Sequence, residues 1–311
     1  MGKTAFLFPG QGAQSVGMGK ELLACGGSIA ALFSESDRVL GFPLSRLMLE
    51  GPENELTLTE NTQPALVTTA MAACQLVTDR TGWRPDYVAG HSLGEYAAVC
   101  AAGGFTFAEA IALVRLRGQA MQKAVPVGEG AMAAILNLPT EQVEEVCQQA
   151  QQESAGVCVT ANYNTPGQIV ISGKKQSVER AVELAKERGA KRSIMLAVSA
   201  PFHCPLMEPA AQQMAAALER ITLRDLSAPL VANATGVEVT AGDEVRRLLV
   251  RAITAPVRWE AVVRRMMALG VTTFIELGTG KVLSGMIKRI DKSVAVYNVA
   301  TPDDLAVLPA A

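Results

Sequence analysis

Short apolar runs closed by glycine or proline alternate along this chain with longer stretches in which Ala, Leu, Val and Met recur at helical spacing. Ala5-Phe-Leu-Phe8 predicts a buried strand, the glycine-rich Pro9–Gln14 a loop, and the residues from about Gly19 a helix. Ser28 to Glu60 is helical but punctuated by Gly41-Phe-Pro43 and Gly51-Pro52. Thr62-Gln63-Pro64 then opens a helix over Ala65 to Asp79, apolar on every side and so expected to be buried. Tyr87-Val-Ala89 reads as a strand, Glu95 to Ala102 as a helix ended by Gly103-Gly104, and Thr106 to Met121 as a further helix.

After the linker-like Val125–Gly130 the pattern changes. A strand at Ala131–Leu136 precedes a helix at Thr140–Gln152, with Thr140 as its cap. A strand at Val157–Ala161, a turn at Tyr163–Gly167 and a strand at Gln168–Ser172 follow. A helix at Lys175–Arg188 and a strand at Arg192–Leu196 complete the series. That order is β-α-β-β-α-β, the split ferredoxin-like arrangement. It predicts a small domain over 128–197 inserted into a large one formed by 1–127 and 198–311. The large part resumes with helices at Pro209–Arg220 and Glu244–Ile253 and strands at Leu230–Asn233 and Thr273–Leu277. A helix at Ala261–Ala268 and another from Val282 complete it, and the apolar tail after Pro302 is expected to fray. The fold class is α/β with a mostly parallel sheet.

Composition narrows the function more than the fold. With 28 Lys and Arg against 30 Asp and Glu in 311 residues, no basic footprint for nucleic acid is present. No apolar run reaches membrane-spanning length, and the N-terminus enters a strand at once, so no membrane role and a cytoplasmic location are expected. None of the six cysteines forms a C-x-x-C pair, and buried reduced thiols are expected. Only His91 and His203 are histidines, which excludes a histidine-rich metal site. With no large apolar surface helix evident, the expected state is a monomer.

The candidate chemistry centres on Gly90-His-Ser-Leu-Gly94, a G-x-S-x-G pattern between a predicted strand and a predicted helix. There a serine stands on a sharp turn at the positive end of a helix, beside a backbone N–H able to receive an oxyanion. Ser92 is thus the candidate nucleophile. Its base is sought among two histidines. His91 should point away along the turn, whereas His203, between Pro201 and Pro205 where the chain returns to the large domain, is placed to line a cleft. Gly10-Gln-Gly12 lacks the third glycine of a dinucleotide fingerprint but offers amides at the carboxyl end of a strand, with the Gln11 side chain beside them. Arg115 and Arg117 point in different directions on one helix, so at most one should face the site and the other should be a solvated surface charge. Gly278-Thr-Gly-Lys281 lacks P-loop spacing and reads as a tight turn.

Taken together, Phe6–Gln14, Gly90–Tyr96, Arg115–Arg117, Asn162–Gln168, Ser199–His203 and Glu276–Lys281 span nearly the whole chain. In that order they resemble the malonyl-CoA:acyl carrier protein transacylases and the acyltransferase domains of polyketide synthases. The resemblance implies a hydrolase-like α/β domain with an inserted ferredoxin-like domain. It implies that Ser92 is acylated by malonyl-CoA with His203 as base, and that Gln11 and Leu93 supply oxyanion amides. Arg117 would hold the malonyl carboxylate, Asn162 would lie where the small domain closes over the cleft, and Phe202 would leave little room for an α-methyl branch. A backbone carbonyl at Ala252, where many members carry glutamine, would orient the histidine; a carbonyl does not depend on its side chain, so alanine should serve. Ala255 also departs from the usual polar residue. The implied substrates are malonyl-CoA and a phosphopantetheinylated carrier protein, with no cofactor or metal of the protein's own. Lys186, Arg188, Lys191 and Arg192 are candidates for a basic rim facing an acidic carrier. The rival readings are a serine thioesterase or esterase, which the lack of an obvious acid between Ser92 and His203 disfavours, and a non-catalytic carrier-binding subunit.

Overall fold

Alternation within Ala5-Phe-Leu-Phe8 sets the layers of the molecule. Phe6 and Phe8 enter the core on one face of a sheet and Ala5 and Leu7 the core on the other. The computed structural model describes residues 2–198 and 200–309, and Ser199 of the Ser199–His203 segment lies outside the described residues. The chain begins with β1 (Lys3–Phe8), α1 (Lys20–Ala24), α2 (Gly27–Leu40), α3 (Leu44–Glu50), α4 (Glu53–Leu56) and α5 (Thr59–Thr81). It continues with β2 (Tyr87–Gly90), α6 (Gly94–Ala101) and α7 (Phe107–Ala124), the last opened by a Thr106/Glu109 capping box.

The middle segment forms β3 (Gly130–Leu136), α8 (Thr140–Ser154), β4 (Cys158–Thr165), β5 (Gln168–Lys174), α9 (Lys175–Glu187) and β6 (Arg192–Met195). The last third forms α10 (Glu208–Glu219), β7 (Leu230–Val231), β8 (Glu238–Val239) and α11 (Gly242–Arg251). It ends with α12 (Trp259–Ala268), β9 (Val271–Leu277), α13 (Val282–Ile290) and β10 (Ala295–Val299).

Strands β10-β9-β1-β2-β7-β8 form a six-stranded sheet, parallel except for the β7–β8 pair. The expected α/β class is what the structure shows. The second sheet runs β4-β5-β3-β6 and is antiparallel, the order a β-α-β-β-α-β unit produces when its third strand inserts between the first two. Ala131, Ala133 and Ile135 of β3 face the helices of this unit, while Met132 and Ala134 join the large core. The six cysteines are free thiols.

Several expected boundaries move. Helix α5 starts at Thr59, not at Thr62, and Pro64 sits inside it. Proline has no N–H for the carbonyl four residues back, and the Glu60 carbonyl so released accepts from Arg115 Nη1 at 2.9 Å. Pro139, not Thr140, occupies the cap position of α8. Strand β4 runs through the expected turn to Thr165. It does so because Tyr163 N–H and Val257 N–H bond across to Val257 O and Ala161 O, both at 2.8 Å, giving this edge a partner outside its own sheet. Strand β7 stops at Val231, short of Asn233. As far as Pro309 the tail does not fray: Pro302–Val307 is a 3-10 helix opened by a Thr301/Asp304 capping box, and Trp83 Nε1 donates to Pro309 O at 3.1 Å; Ala310 and Ala311 lie outside the described residues.

Candidate active site

The turn after β2 is tight enough to admit only glycine on both sides of the serine. A Cβ on Gly90 would lie 1.9 Å from the Gly94 carbonyl carbon, and one on Gly94 would lie 2.1 Å from the Phe8 carbonyl oxygen. Between them Ser92 adopts φ 52°, in the left-handed region that an L-residue occupies only when its surroundings hold it there. Helix α6 starts immediately afterwards, so the Leu93 N–H belongs to its orphaned first turn. Neither the Leu93 nor the Gln11 backbone N–H has a hydrogen-bond partner among the described residues.

His203 reaches Ser92 from a distant part of the chain, its Nε2 lying 2.7 Å from Ser92 Oγ. It too is left-handed, at φ 58°, a conformation histidine tolerates better than most residues. Its Nδ1 donates to Ala252 O at 2.8 Å and to Ala255 O at 3.2 Å. Donation at Nδ1 leaves the lone pair of the neutral ring on Nε2, facing the serine. A carbonyl at Ala252 therefore suffices in this geometry, and Ala255 adds a second one that sequence reasoning did not find. Burial, then the Arg117 charge and His91, push the His203 ring down to about 3, so at neutral pH it stands unprotonated.

Arg117, 2% exposed, donates through Nη2 to the same Ser92 Oγ at 3.1 Å. Its guanidinium lies over the Tyr96 ring, 5.7 Å from the centroid. Of the helix pair, Arg117 is the one that faces the site. Arg115 is not the solvated charge expected: it bonds Glu60 O and Asn61 Oδ1 and sits over Phe42, where it repairs the gap left by Pro64.

These groups open onto a cavity of ≈ 820 Å³ between the two sheets. Gln11, Ser92, Leu93, Arg117, Asn162, Phe202 and His203 all line it, and Arg117 is the one Lys or Arg side chain among its described lining residues. Ala252 stands behind His203. Asn162 is 6% exposed and its residue bridges to Val257, so the β4 edge forms one wall. His91 turns away from the serine as expected: its Nε2 pairs with Asn164 Oδ1 at 2.9 Å and its ring packs on Trp259. Burial keeps it below the ordinary imidazole range.

Three buried polar residues escaped sequence reasoning. Asn233 side-chain Oδ1 accepts from Ser92 N–H at 2.7 Å, and Glu95 Oε1 accepts from Asn233 N–H at 2.7 Å. Burial pushes the Glu95 carboxyl up to about 8, opposed by the Asn233 hydrogen bond and by Arg117. Gln63 lines the cavity with its Oε1 unpartnered among the described residues. Its place beside Pro64 read only as a helix opening. Glu276 is structural: its carboxylate caps α13 through Leu283 N–H at 3.0 Å and Ser284 N–H at 2.8 Å.

A serine, an uncharged imidazole and two free amides on one cavity can attack an acyl carbon and stabilise the resulting oxyanion. A buried arginine on the same oxygen adds a receptor for an anionic acyl group. The family profile described as acyl transferase domain matches residues 5–302. The chain is 46% identical over 305 residues to the malonyl CoA-acyl carrier protein transacylase of Bacillus subtilis, covering 98% of this chain and 96% of that protein. It superposes with a TM-score of 0.95 on the acyl-carrier-protein-S-malonyltransferase of Bartonella henselae, at 44% identity and 98% coverage of both chains. A type II polyketide synthase malonyl-transacylase, solved with its acyl-carrier protein, gives the same TM-score at 40% identity and 98% coverage of both.

Proposed function

The chain belongs to the acyl transferase domain family, and from that premise we propose how its residues carry an acyl group between two thiols. The enzyme transfers malonyl from malonyl-CoA to acyl carrier protein, the activity its full-length relatives carry in their names. We place the transfer in the supply of extender units for fatty acid synthesis. A second reading, a free-standing acyltransferase serving a polyketide carrier, is favoured by one observation: a relative solved with such a carrier matches this chain as fully as the others do.

The observation that carries the mechanism is the convergence of His203 Nε2 at 2.7 Å and Arg117 Nη2 at 3.1 Å on Ser92 Oγ. In the first half-reaction Ser92 Oγ attacks the thioester carbon while His203 Nε2 takes its proton. The Leu93 and Gln11 amides receive the carbonyl oxygen as it becomes an oxyanion, each contributing on the order of a hundredfold. The carbon–sulfur bond breaks, the imidazolium returns its proton to the departing CoA sulfur, and a malonyl ester remains on Ser92. The carrier's phosphopantetheine thiol then repeats these steps in reverse. Arg117 turns its fork to the malonyl carboxylate, which explains why a cation is buried beside a nucleophile. Asn162 closes the cavity from the small domain, and Phe202 fills the space an α-branch would need.

This chemistry asks for no cofactor of the protein's own, since the acyl group arrives activated as a thioester. We place the enzyme in the cytoplasm as a monomer acting on soluble substrates; among the described residues no helix is long and apolar enough to cross a membrane. The basic rim for an acidic carrier is assigned to Lys186, Lys191 and Arg192. Arg188 is already paired with Glu145 at 2.7 Å.

Intact-protein mass after mixing with malonyl-CoA tests the reading. The expected result is one malonyl group on the parent and none on Ser92→Ala, stable until holo carrier protein or CoA is added. Loss of the adduct to water with no acceptor would establish the esterase instead, and an adduct that never forms would leave a non-catalytic carrier-binding role.

A further inference from the structure

The cavity and its lining charge are accounted for by the reading above, but one fully buried side chain at the nucleophile is not. Asn233 follows β7, the strand beside β2, and has no exposed surface. Its side-chain Oδ1 accepts from Ser92 N–H at 2.7 Å, and its Nδ2 donates to Gly90 O at 2.7 Å. One planar amide therefore bridges the two backbone groups on either side of His91, as an added peptide unit would. Its own backbone is fixed as well: its N–H donates to Glu95 Oε1 at 2.7 Å, and its carbonyl accepts from Arg258 N–H at 3.0 Å. Every polar group of this residue is thus paired, to the turn on one side and to α6 and the start of α12 on the other.

We propose that Asn233 is a positioning residue for the nucleophile, holding Ser92 in its left-handed conformation so that Oγ meets His203 and the next amide, Leu93 N–H, stays free for the oxyanion. The inference rests on the acylation of Ser92 proposed above. A left-handed serine persists only where its surroundings over-determine it. Within the turn, the backbone bonds are His91 N–H to Phe8 O and Gly94 N–H to His91 O, both 3.0 Å, and Glu95 N–H to Ser92 O at 3.1 Å. None involves Ser92 N–H or Gly90 O. Gly90 is buried and Ser92 half-buried, and among the described residues Asn233 is the one partner of both groups; a backbone group taken from water without a partner drives its segment to another conformation. Rotation of the Ser92 backbone would swing Oγ off Nε2, and a misplacement of about 1 Å costs about a hundredfold in rate.

The test compares Asn233→Ala and Asn233→Asp with the parent. Single-turnover acylation by malonyl-CoA is measured alongside Ser92 labelling by a fluorophosphonate, which needs neither the malonyl carboxylate nor a carrier. Asn233→Ala is expected to lower both rates by about a hundredfold, with the KM for malonyl-CoA within about threefold of the parent. Asn233→Asp keeps the acceptor for Ser92 N–H and can donate to Gly90 O only when protonated. Its labelling rate relative to the parent should therefore recover as the pH is lowered from about 8 to about 5, while that of Asn233→Ala stays flat.

Labelling of Asn233→Ala at the parental rate, or a raised KM with unchanged turnover, overturns the inference. If Asn233→Ala does not fold, the aspartate variant decides: recovery on acidification supports the inference and a flat relative rate overturns it. Failure of the parent itself to acylate would instead remove the functional reading on which this one stands.

Discussion

Arg117 and His203 share one oxygen, and the cost of that arrangement can be measured by removing the arginine charge in Arg117→Gln. The two side chains lie 3.1 Å and 2.7 Å from Ser92 Oγ, which puts the guanidinium and an imidazolium within about 6 Å of each other. At an effective dielectric near 20 their repulsion is about 3 kcal/mol, about a hundredfold in proton affinity. Burial is the larger cause of the low His203 value of about 3, and Arg117 is the next. Arg117→Gln should therefore raise the midpoint of His203 to about 5 and leave it below the ordinary imidazole value, because burial remains. The sign follows from which form is active. The neutral ring is the base, so labelling of Ser92 by a fluorophosphonate falls as the pH drops through the midpoint. That fall should begin at higher pH in the variant. The chain has only two histidines, so ring-carbon NMR can follow the midpoint directly, with His203→Gln assigning the signals. A midpoint that Arg117→Gln does not move would refute the electrostatic coupling. A parental midpoint near 6.5 would refute the effect of burial as well. If the coupling holds, a malonyl carboxylate that neutralises Arg117 also strengthens the base, and malonyl is favoured over acetyl in the acylation rate as well as in binding.

Gly90→Ala places a methyl 1.9 Å from the Gly94 carbonyl carbon and should abolish soluble folded protein, read as loss of the cooperative melting transition. Arg115→Ala strips the Glu60 carbonyl of its partner and should destabilise by about 1–3 kcal/mol in urea unfolding, with the ratio of malonyl to acetyl loading unchanged. Glu95 is held protonated up to about 8 in the fold against 4.5 for the free carboxyl. Its contribution to stability is therefore complete below 4.5 and is lost as the pH rises toward 8. Glu95→Gln, which keeps the acceptor, should flatten that part of the stability profile, and an unchanged slope in pH-dependent urea midpoints would count against it. Phe202→Ala should raise kcat/KM for methylmalonyl-CoA relative to malonyl-CoA by about tenfold, and a ratio equal to the parent's would show that the ring does not limit the pocket.

What the sequence disclosed and what it hid separate along a physical line. The nucleophile turn was legible because two glycines with a steric reason to be there flank Ser92, and His203 because so few histidines compete for the role. The order of the small unit was legible from the short apolar runs of β3 and β5 set between helical stretches. Strands β8 and β10 were not, being two and five residues long, with four of the five residues of β10 only half-buried and Asn298 interrupting its apolar run. The start of α5 was misplaced because proline at a helix opening is the common case, and only the distant Arg115 makes an interior proline tolerable here. The roles of the Asn233 side chain and the Ala255 carbonyl were not legible. Each acts through contacts with residues far along the chain, and nothing local about an asparagine after a strand, or a carbonyl in a loop, announces its partner.

The pairing of β4 with Val257 bears on how this protein can be recombined with its relatives. Judged by chain connectivity, the four-stranded unit looks exchangeable at the two points where it leaves and re-enters the main body. The bonds of Tyr163 and Val257 place a third seam between β4 and the stretch that also presents the Ala252 and Ala255 carbonyls to His203. A graft of 128–197 alone would import a foreign strand edge against the support of the native imidazole. A graft that also carries the 252–257 stretch would move edge and support as one piece, and chimeras built that way should keep their transfer rate where the simpler exchange loses it.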